Sequence, residues 1–429
     1  MKYLQIKEAI KKGKGSVSLR GWVYRERGSN KIKFVVVRDS TGILQCVIKK
    51  ENFSDVEWKA IDKVQIEASM ELEGKIAADK RAVTGFEVIV SKFKIVGESD
   101  KFPINKDLNE ELLGDRRHLW IRSQKMTASL KVRSTVLFAL HEYMHKIDYT
   151  EVQAPSMSGA ASEGGSEVFE VGYFGKKAYM TQSWQFYAEN IISSVEKAYA
   201  IAPSFRAEKS KTPWHVTEFW HFEVETAWAD LSEDMEIAEN CVVYAIEKVL
   251  KENMAELEIL GADIGKLKKI KTPFKRVSYK DAIETLIKNK HKIKYGDDFK
   301  SAEERSLAKY YDDDFVFVVN YPMHLLKFYH GENPKDPSTG TNFNLLAPGI
   351  GEMVDGSQRE PDLKKIVERL KKAKIDLGAS DWYLDSRRYG SVPHSGFGLG
   401  IERFAAWICG FDTIKDSIPF PRTPTRFNP

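Results

Sequence analysis

Phe205-Arg206-Ala207-Glu208 and, beyond a short polar loop, His215-Val216-Thr217-Glu218-Phe219 form the stretch on which the reading of this 429-residue chain turns. A guanidinium at 206 suits forked binding of a phosphate better than an ammonium would. Glu208 is an acceptor for the amino group of a base, His215 is placed to meet a terminal phosphate, and Phe219 offers a ring face to a purine. A second signal, Gly396-Phe397-Gly398-Leu399-Gly400-Ile401-Glu402-Arg403, lies near the C-terminus. There, small residues let backbone approach a ligand just before Arg403 opens a helix. Arg-x-Glu and Gly-rich turns are each common. Together, in this order and at this separation, they point to a nucleotide site.

Outward from these stretches, composition sets the bounds. The length suits two or three domains with a large core. Hydrophobic residues make up 42% and charged residues 30%, as in soluble globular proteins. No apolar run is long enough to span a bilayer, and Met1-Lys2-Tyr3-Leu4-Gln5 lacks the apolar region of a signal peptide. Cys46, Cys241 and Cys409 are isolated, which argues against a zinc site or a disulfide framework and fits a reducing cytoplasm. Residues 1–50 hold 13 Lys/Arg against 3 Asp/Glu, while the whole chain carries +4, so the rest is net acidic. A basic N-terminal module points to a polyanion partner or to an ordinary solvated basic face.

Residues 16–48 alternate apolar and polar positions, with β-branched runs such as Phe34-Val35-Val36-Val37 and a turn at Arg38-Asp39-Ser40-Thr41-Gly42. Further strand-like segments at 64–73 and 85–97 suggest a small barrel of the OB type over residues 1–98. Residues 99–118 are polar, contain Pro103 and read as a hinge. The apolar spacing from Ile121 to about Tyr149 is helical, as is that of 231–259, and 260–300 reads as a Lys-rich, solvated insertion. No Ser-His-Asp or Cys-His arrangement is evident.

The paired signals resemble motifs 2 and 3 of the class II aminoacyl-tRNA synthetases. The resemblance is to the asparaginyl and aspartyl branch, in its archaeal asparaginyl type, and runs from Gly21-Trp22-Val23 to Phe420-Pro421-Arg422-Thr423-Pro424. It implies an α+β architecture: an N-terminal OB-fold barrel, then an antiparallel β-sheet catalytic domain flanked by helices over 119–429. It also implies a homodimer built on the Ile121–Tyr149 region. The implied function is ATP- and Mg²⁺-dependent attachment of asparagine to tRNA(Asn) in the cytoplasm, without a membrane. By the same resemblance Arg206 and Arg403 are the catalytic cations. They bind ATP with Glu208, His215, Phe219 and Glu352. Glu163, in Ser162-Glu163-Gly164-Gly165, holds the α-ammonium of the amino acid. Gln182 and Gln185, in Gln182-Ser183-Trp184-Gln185, floor its pocket, and Arg359 meets its side-chain oxygen. Arg25, Phe34 and Gln45 match anticodon contacts, with Lys33 a further candidate for a phosphate.

Ala188 stands where aspartyl enzymes place a Lys, which removes a charge that aspartate would need and favours a neutral amide. Glu352 matches the Mg²⁺-binding Glu, but its partner acid falls at Asn344, and Asp355 replaces a small residue nearby. Asp355 is then the candidate for the missing charge. Pro213 and Trp214 replace Arg in the loop after Lys211, and Lys327 appears one position from where the family's Lys is expected. These departures keep other outcomes open: an aspartyl enzyme, an aspartate-activating amide ligase, or a non-catalytic RNA-binding paralogue.

Overall fold

The computed structural model describes residues 2–104, 109–159, 167–210, 212–375 and 381–429. The chain divides into two compact units, Met1–Gln124 and Lys125–Pro429.

In the first unit five strands close a barrel: β1 (Gly15–Gly28), β2 (Ile32–Asp39), β3 (Gly42–Lys49), β4 (Ser69–Ala78) and β5 (Phe86–Gly97). Their order around the barrel is β1-β2-β3-β5-β4, the closed OB-type arrangement that the alternating pattern led one to expect. Every second residue of β2 enters the core, so Val35 and Val37 are fully buried while Phe34 and Val36 face outward. The turn between β2 and β3 is built by Asp39, whose carboxylate accepts from the backbone of Thr41 at 2.7 Å and Gly42 at 3.1 Å. The strand expected at 64–73 starts later, at Ser69, because residues 55–62 form a helix capped by Ser54 and the chain then turns. The segment read as a hinge carries helical turns at Glu110–Asp115 and Arg117–Trp120.

The second unit is organised on an eight-stranded sheet. Its strands are β6 (Thr150–Glu151), β7 (Lys197–Phe205), β8 (Glu218–Ala227), β9 (Lys275–Ser278), β10 (Val316–Val319), β11 (Asn342–Ala347), β12 (Gly351–Gln358) and β13 (His394–Gly400). They run in the order β9-β10-β11-β12-β13-β8-β7-β6. The centre is antiparallel, as the α+β reading requires, and only the edge pairs β9–β10 and β6–β7 are parallel. Five helices cover the sheet or carry site residues: α1 (Gln124–Lys146), α2 (Gln185–Val195), α3 (Leu231–Glu252), α4 (Ser301–Tyr310) and α5 (Ile401–Cys409). Helices α1, α3 and α5 pack on the sheet with a shared apolar core that includes Val136, Leu140, Ala238, Val242, Phe222 and Phe404. The periodic run 231–259 is two helices, because α3 stops at Asn253 before Met254–Leu260 begins.

The Lys-rich stretch 260–300 keeps its lysines largely solvated, but it is more than a solvated insertion. It supplies strand β9, and Tyr279, Ile283 and Leu286 of the helix Tyr279–Lys288 are buried against Val316 and Val318. Helical spacing of those three residues carries this signal, which the density of lysines obscured.

Candidate active site and nucleic-acid face

One strand supplies much of the site. Along β8, Phe219, His221, Glu223 and Glu225 alternate with Trp220, Phe222 and Val224. The pleat sends the first set into a cavity of about 470 Å³. The same cavity is lined by Arg206, Glu208, Trp214, His215, Lys327, Glu352, Asp355, Arg359 and Arg403, and by Gln182 and Gln185. The residues read from two distant stretches thus meet in one place because β8 lies between β7 and β13. Glu163 lies outside the described residues.

At the nucleotide end, Arg206 follows the last residue of β7, and its backbone N–H donates to Thr217 O at 3.0 Å. Its guanidinium lies 5.3 Å from the centroid of the Phe219 ring, a cation–π pair with a flat face beside it. His215 Nε2 is 3.9 Å from a carboxylate oxygen of Glu208. Burial, followed by the charge of Arg403, lowers the pKa of His215 and favours the neutral ring. Arg403 sits in the first turn of α5, donates to the Glu352 carbonyl and lies 3.7 Å from the Glu352 carboxylate. The glycines ahead of it serve side-chain packing as well as backbone approach: a Cβ on Gly396 would lie 2.2 Å from Glu225 Oε2.

Glu352 and Asp355 share a face because β12 carries a bulge. Asn344 pairs with Asp355 and Leu345 with Val354, but Leu346 pairs with Glu352, leaving Met353 extra. Asn344, directly across from Asp355, donates to Glu352 Oε2 at 2.6 Å. The amide therefore orients the acid. Asp355 is exposed to the cavity. Behind them Glu304 of α4 accepts from the Glu352 backbone N–H at 3.1 Å. Burial, and then the charge of Glu352, push the Glu304 carboxyl up to about 7. Among the described residues no group of three or more His, Cys, Asp or Glu is gathered to hold a metal. Two hard oxygen donors beside phosphate-binding cations are nevertheless the kind of set magnesium uses, since it keeps much of its water.

At the other end, Arg359 is 6% exposed and forks onto Glu225 with two bonds of 3.0 Å, while its third nitrogen donates to Ser357 at 2.9 Å. Burial works against this charge, but Glu225 outweighs it and keeps Arg359 protonated. Glu223 holds the floor: it accepts from the Ser183 hydroxyl and, at 2.8 Å, from the Trp184 N–H. Ala188 is fully buried against Trp184, Ile192 and Ala198 in a small core beneath that floor. The sequence reading missed His221, Glu223 and Glu225, although three polar residues at every second position of an apolar strand were the signal.

On the barrel, Arg25, Val36, Gln45 and Glu87 are register partners in one row across four strands. Phe34 lies in the next row, outside the barrel core, opposite Arg27, whose guanidinium is 5.1 Å from its ring centroid. Gln45 donates to Glu87 at 2.9 Å, and Arg25 is exposed. Lys33 does not belong to this face. Its ammonium is buried, pairs with Glu26 at 2.6 Å and donates to the Asp62 carbonyl at 3.0 Å, because residue 33 alternates inward.

Comparison with known proteins agrees with this geometry. A family profile described as tRNA synthetases class II (D, K and N) matches residues 109–424, and one described as an OB-fold nucleic acid binding domain matches residues 17–96. An asparagine–tRNA ligase of Thermoplasma acidophilum is 45% identical over 414 residues, 96% of each chain. The asparaginyl-tRNA synthetase of Pyrococcus horikoshii, solved with asparaginyl-adenylate, superposes with a TM-score of 0.96 at 40% identity over the full length of both chains. That of Entamoeba histolytica, also solved with asparaginyl-adenylate, gives 0.88 at 30% identity over 97% of each. The chain belongs to the class II tRNA synthetases of the D, K and N group.

Proposed function

We infer that the protein is an asparagine–tRNA ligase, which uses ATP to activate asparagine and passes it to the 3′ end of tRNA(Asn). The observation that carries the choice of amino acid is the Glu225–Arg359 pair. Its fork is already neutralised within the cavity, so this end presents a dipole and no net positive charge. A neutral side-chain amide fits there, whereas a buried carboxylate would lack a compensating cation. The curated relatives of similar length carry the name asparagine–tRNA ligase.

In the first step the asparagine carboxylate attacks the α-phosphorus of ATP, and the bond to the β-phosphate oxygen breaks with release of pyrophosphate. No proton needs to move. Arg206 and Arg403 offset the charge that builds on phosphate oxygens, and Phe219 and Arg403 flank the adenine, with Glu208 accepting from its amino group. His215 meets the terminal phosphate. Gln182, Gln185 and Arg359 orient the amino acid, with Glu163 on its ammonium. Magnesium would be held by Glu352 and Asp355 and would supply further neutralisation of the phosphates. In the second step a ribose hydroxyl of the tRNA attacks the carbonyl carbon of the adenylate, and AMP leaves.

Residues 1–98 form the tRNA-reading module of this account, with Phe34 stacking on a base, Gln45 bonding one and Arg25 on the backbone. Residues 99–118 link it to a catalytic domain at 119–429, which dimerises through the Ile121–Tyr149 region in the cytoplasm. The test is charging of purified tRNA(Asn) with radiolabelled amino acid. Asparagine should be attached and aspartate not. Attachment of aspartate, or tRNA binding with no attachment of either, would reject the assignment.

A further inference from the structure

Gln185 reaches the cavity from the first turn of α2, and the groups behind it decide which end of its amide faces in. Its Nε2 donates to Glu189 Oε1 at 2.9 Å. Glu189, one helical turn on, is outside the cavity and 3% exposed. The same carboxylate receives the Tyr383 hydroxyl at 3.1 and 3.0 Å, His394 Nε2 at 3.1 Å and the guanidinium of Arg387. Burial opposes charge on Glu189, but Arg387 and His394 outweigh it and hold its carboxyl well below the usual range. An ionised carboxylate only accepts. The nitrogen of Gln185 must therefore face Glu189, and its oxygen is left for the cavity.

We propose that Glu189 is a positioning residue that locks the Gln185 amide with its oxygen toward the amino-acid end of the cavity, where it accepts from the side-chain amide of asparagine and rejects the carboxylate of aspartate. This rests on the reading of the cavity as an asparagine site and adds a second source of selectivity to the Glu225–Arg359 pair. An aspartate oxygen set against the Gln185 oxygen would leave two acceptors facing each other, each without a donor. Sites built to receive a donor reject analogues that lack it far more strongly than apolar pockets reject a change of size. Nothing in the local sequence announces this role, because Tyr383, Arg387 and His394 lie about two hundred residues from Glu189.

The test is asparagine- and aspartate-dependent ATP–pyrophosphate exchange on the full chain and on two variants. Glu189→Gln keeps the shape but adds a donor, so that the Gln185 amide is free to turn. Gln185→Met keeps the length, removes the acceptor and leaves the buried cluster whole. The preference for asparagine, as a ratio of kcat/KM values, should fall at least tenfold in each, with the KM for ATP unchanged. An equal loss for both amino acids, with the preference retained, would overturn the proposal. So would a folded Glu189→Gln variant that keeps the preference while Gln185→Met loses it, although the Gln185 contact would stand. Should Glu189→Gln fail to fold, Gln185→Met decides: loss of preference supports the proposal and retention overturns it. Absence of asparagine-dependent exchange in the unsubstituted chain would instead strike the reading of the cavity, and this inference with it.

Discussion

At the scale of single residues, the pairing of Asn344 with Asp355 is the feature most particular to this chain. The two are register partners, so the amide and the acid stand side by side on adjacent strands. The acid expected at 344 thus has a counterpart one strand away, and Asn344 is used to orient Glu352. Asp355→Ala should raise the Mg²⁺ concentration for half-maximal ATP–pyrophosphate exchange by about tenfold, equivalent to roughly 1.4 kcal/mol of metal binding. An unchanged Mg²⁺ titration would remove Asp355 from the metal site. The residues legible in the sequence were those whose chemistry is local: Arg206, Glu208 and Phe219 lie close together along the chain and meet in one cavity. Gln182 and Gln185 were legible for the same reason. Glu189 was not, because its role depends on partners brought in by the far end of the chain. Lys33 was misjudged because charge alone does not reveal which face of a strand a residue occupies.

Among the elements, the contact of α4 with β12 has a consequence for stability. Gly351 has φ +97°, and a Cβ there would lie 2.5 Å from Glu304 Oε2, so only glycine lets the helix carboxyl approach the strand. Glu304 is thereby buried against Glu352, and its carboxyl is pushed up to about 7 from an ordinary value of 4.5. A folded-state pKa above the unfolded one means that the folded protein binds the proton more tightly. The associated stability is present below about 4.5 and is lost as pH rises through about 7. Glu304→Gln lacks this titration. In metal-free buffer its Tm should therefore gain on that of the unsubstituted protein as pH rises through this window. Parallel Tm curves would contradict it. The existence and type of the elements were readable from period-two alternation in β1 to β3 and from helical spacing in α1 and α3. Their ends were not. Ser54 starts a helix that delays β4, and Asn253 divides the run after Leu231. Both are local backbone choices that an apolar pattern does not record.

On the scale of the whole molecule, each unit carries its own apolar core: the barrel around Leu19, Val35, Leu44 and Val88, and the sheet with its helices around Phe222, Phe317, Phe343 and Phe404. The basic charge read from residues 1–50 belongs to the barrel unit, whereas the chemistry belongs to the sheet. The fold class was legible because the two halves differ in period, short alternating strands first and long helical runs after. The substrate was less so. Asparagine was favoured from the missing Lys at Ala188, yet Ala188 lies in a small core, and the charge balance is struck by Glu225 and Arg359, which come from different strands. The central claim is that this cavity activates a neutral amide amino acid. Its most direct test is ATP–pyrophosphate exchange by the full-length protein with Mg²⁺ and either asparagine or aspartate. The account predicts exchange with asparagine and none above background with aspartate. Exchange supported by aspartate, or by neither amino acid with and without tRNA, would contradict it.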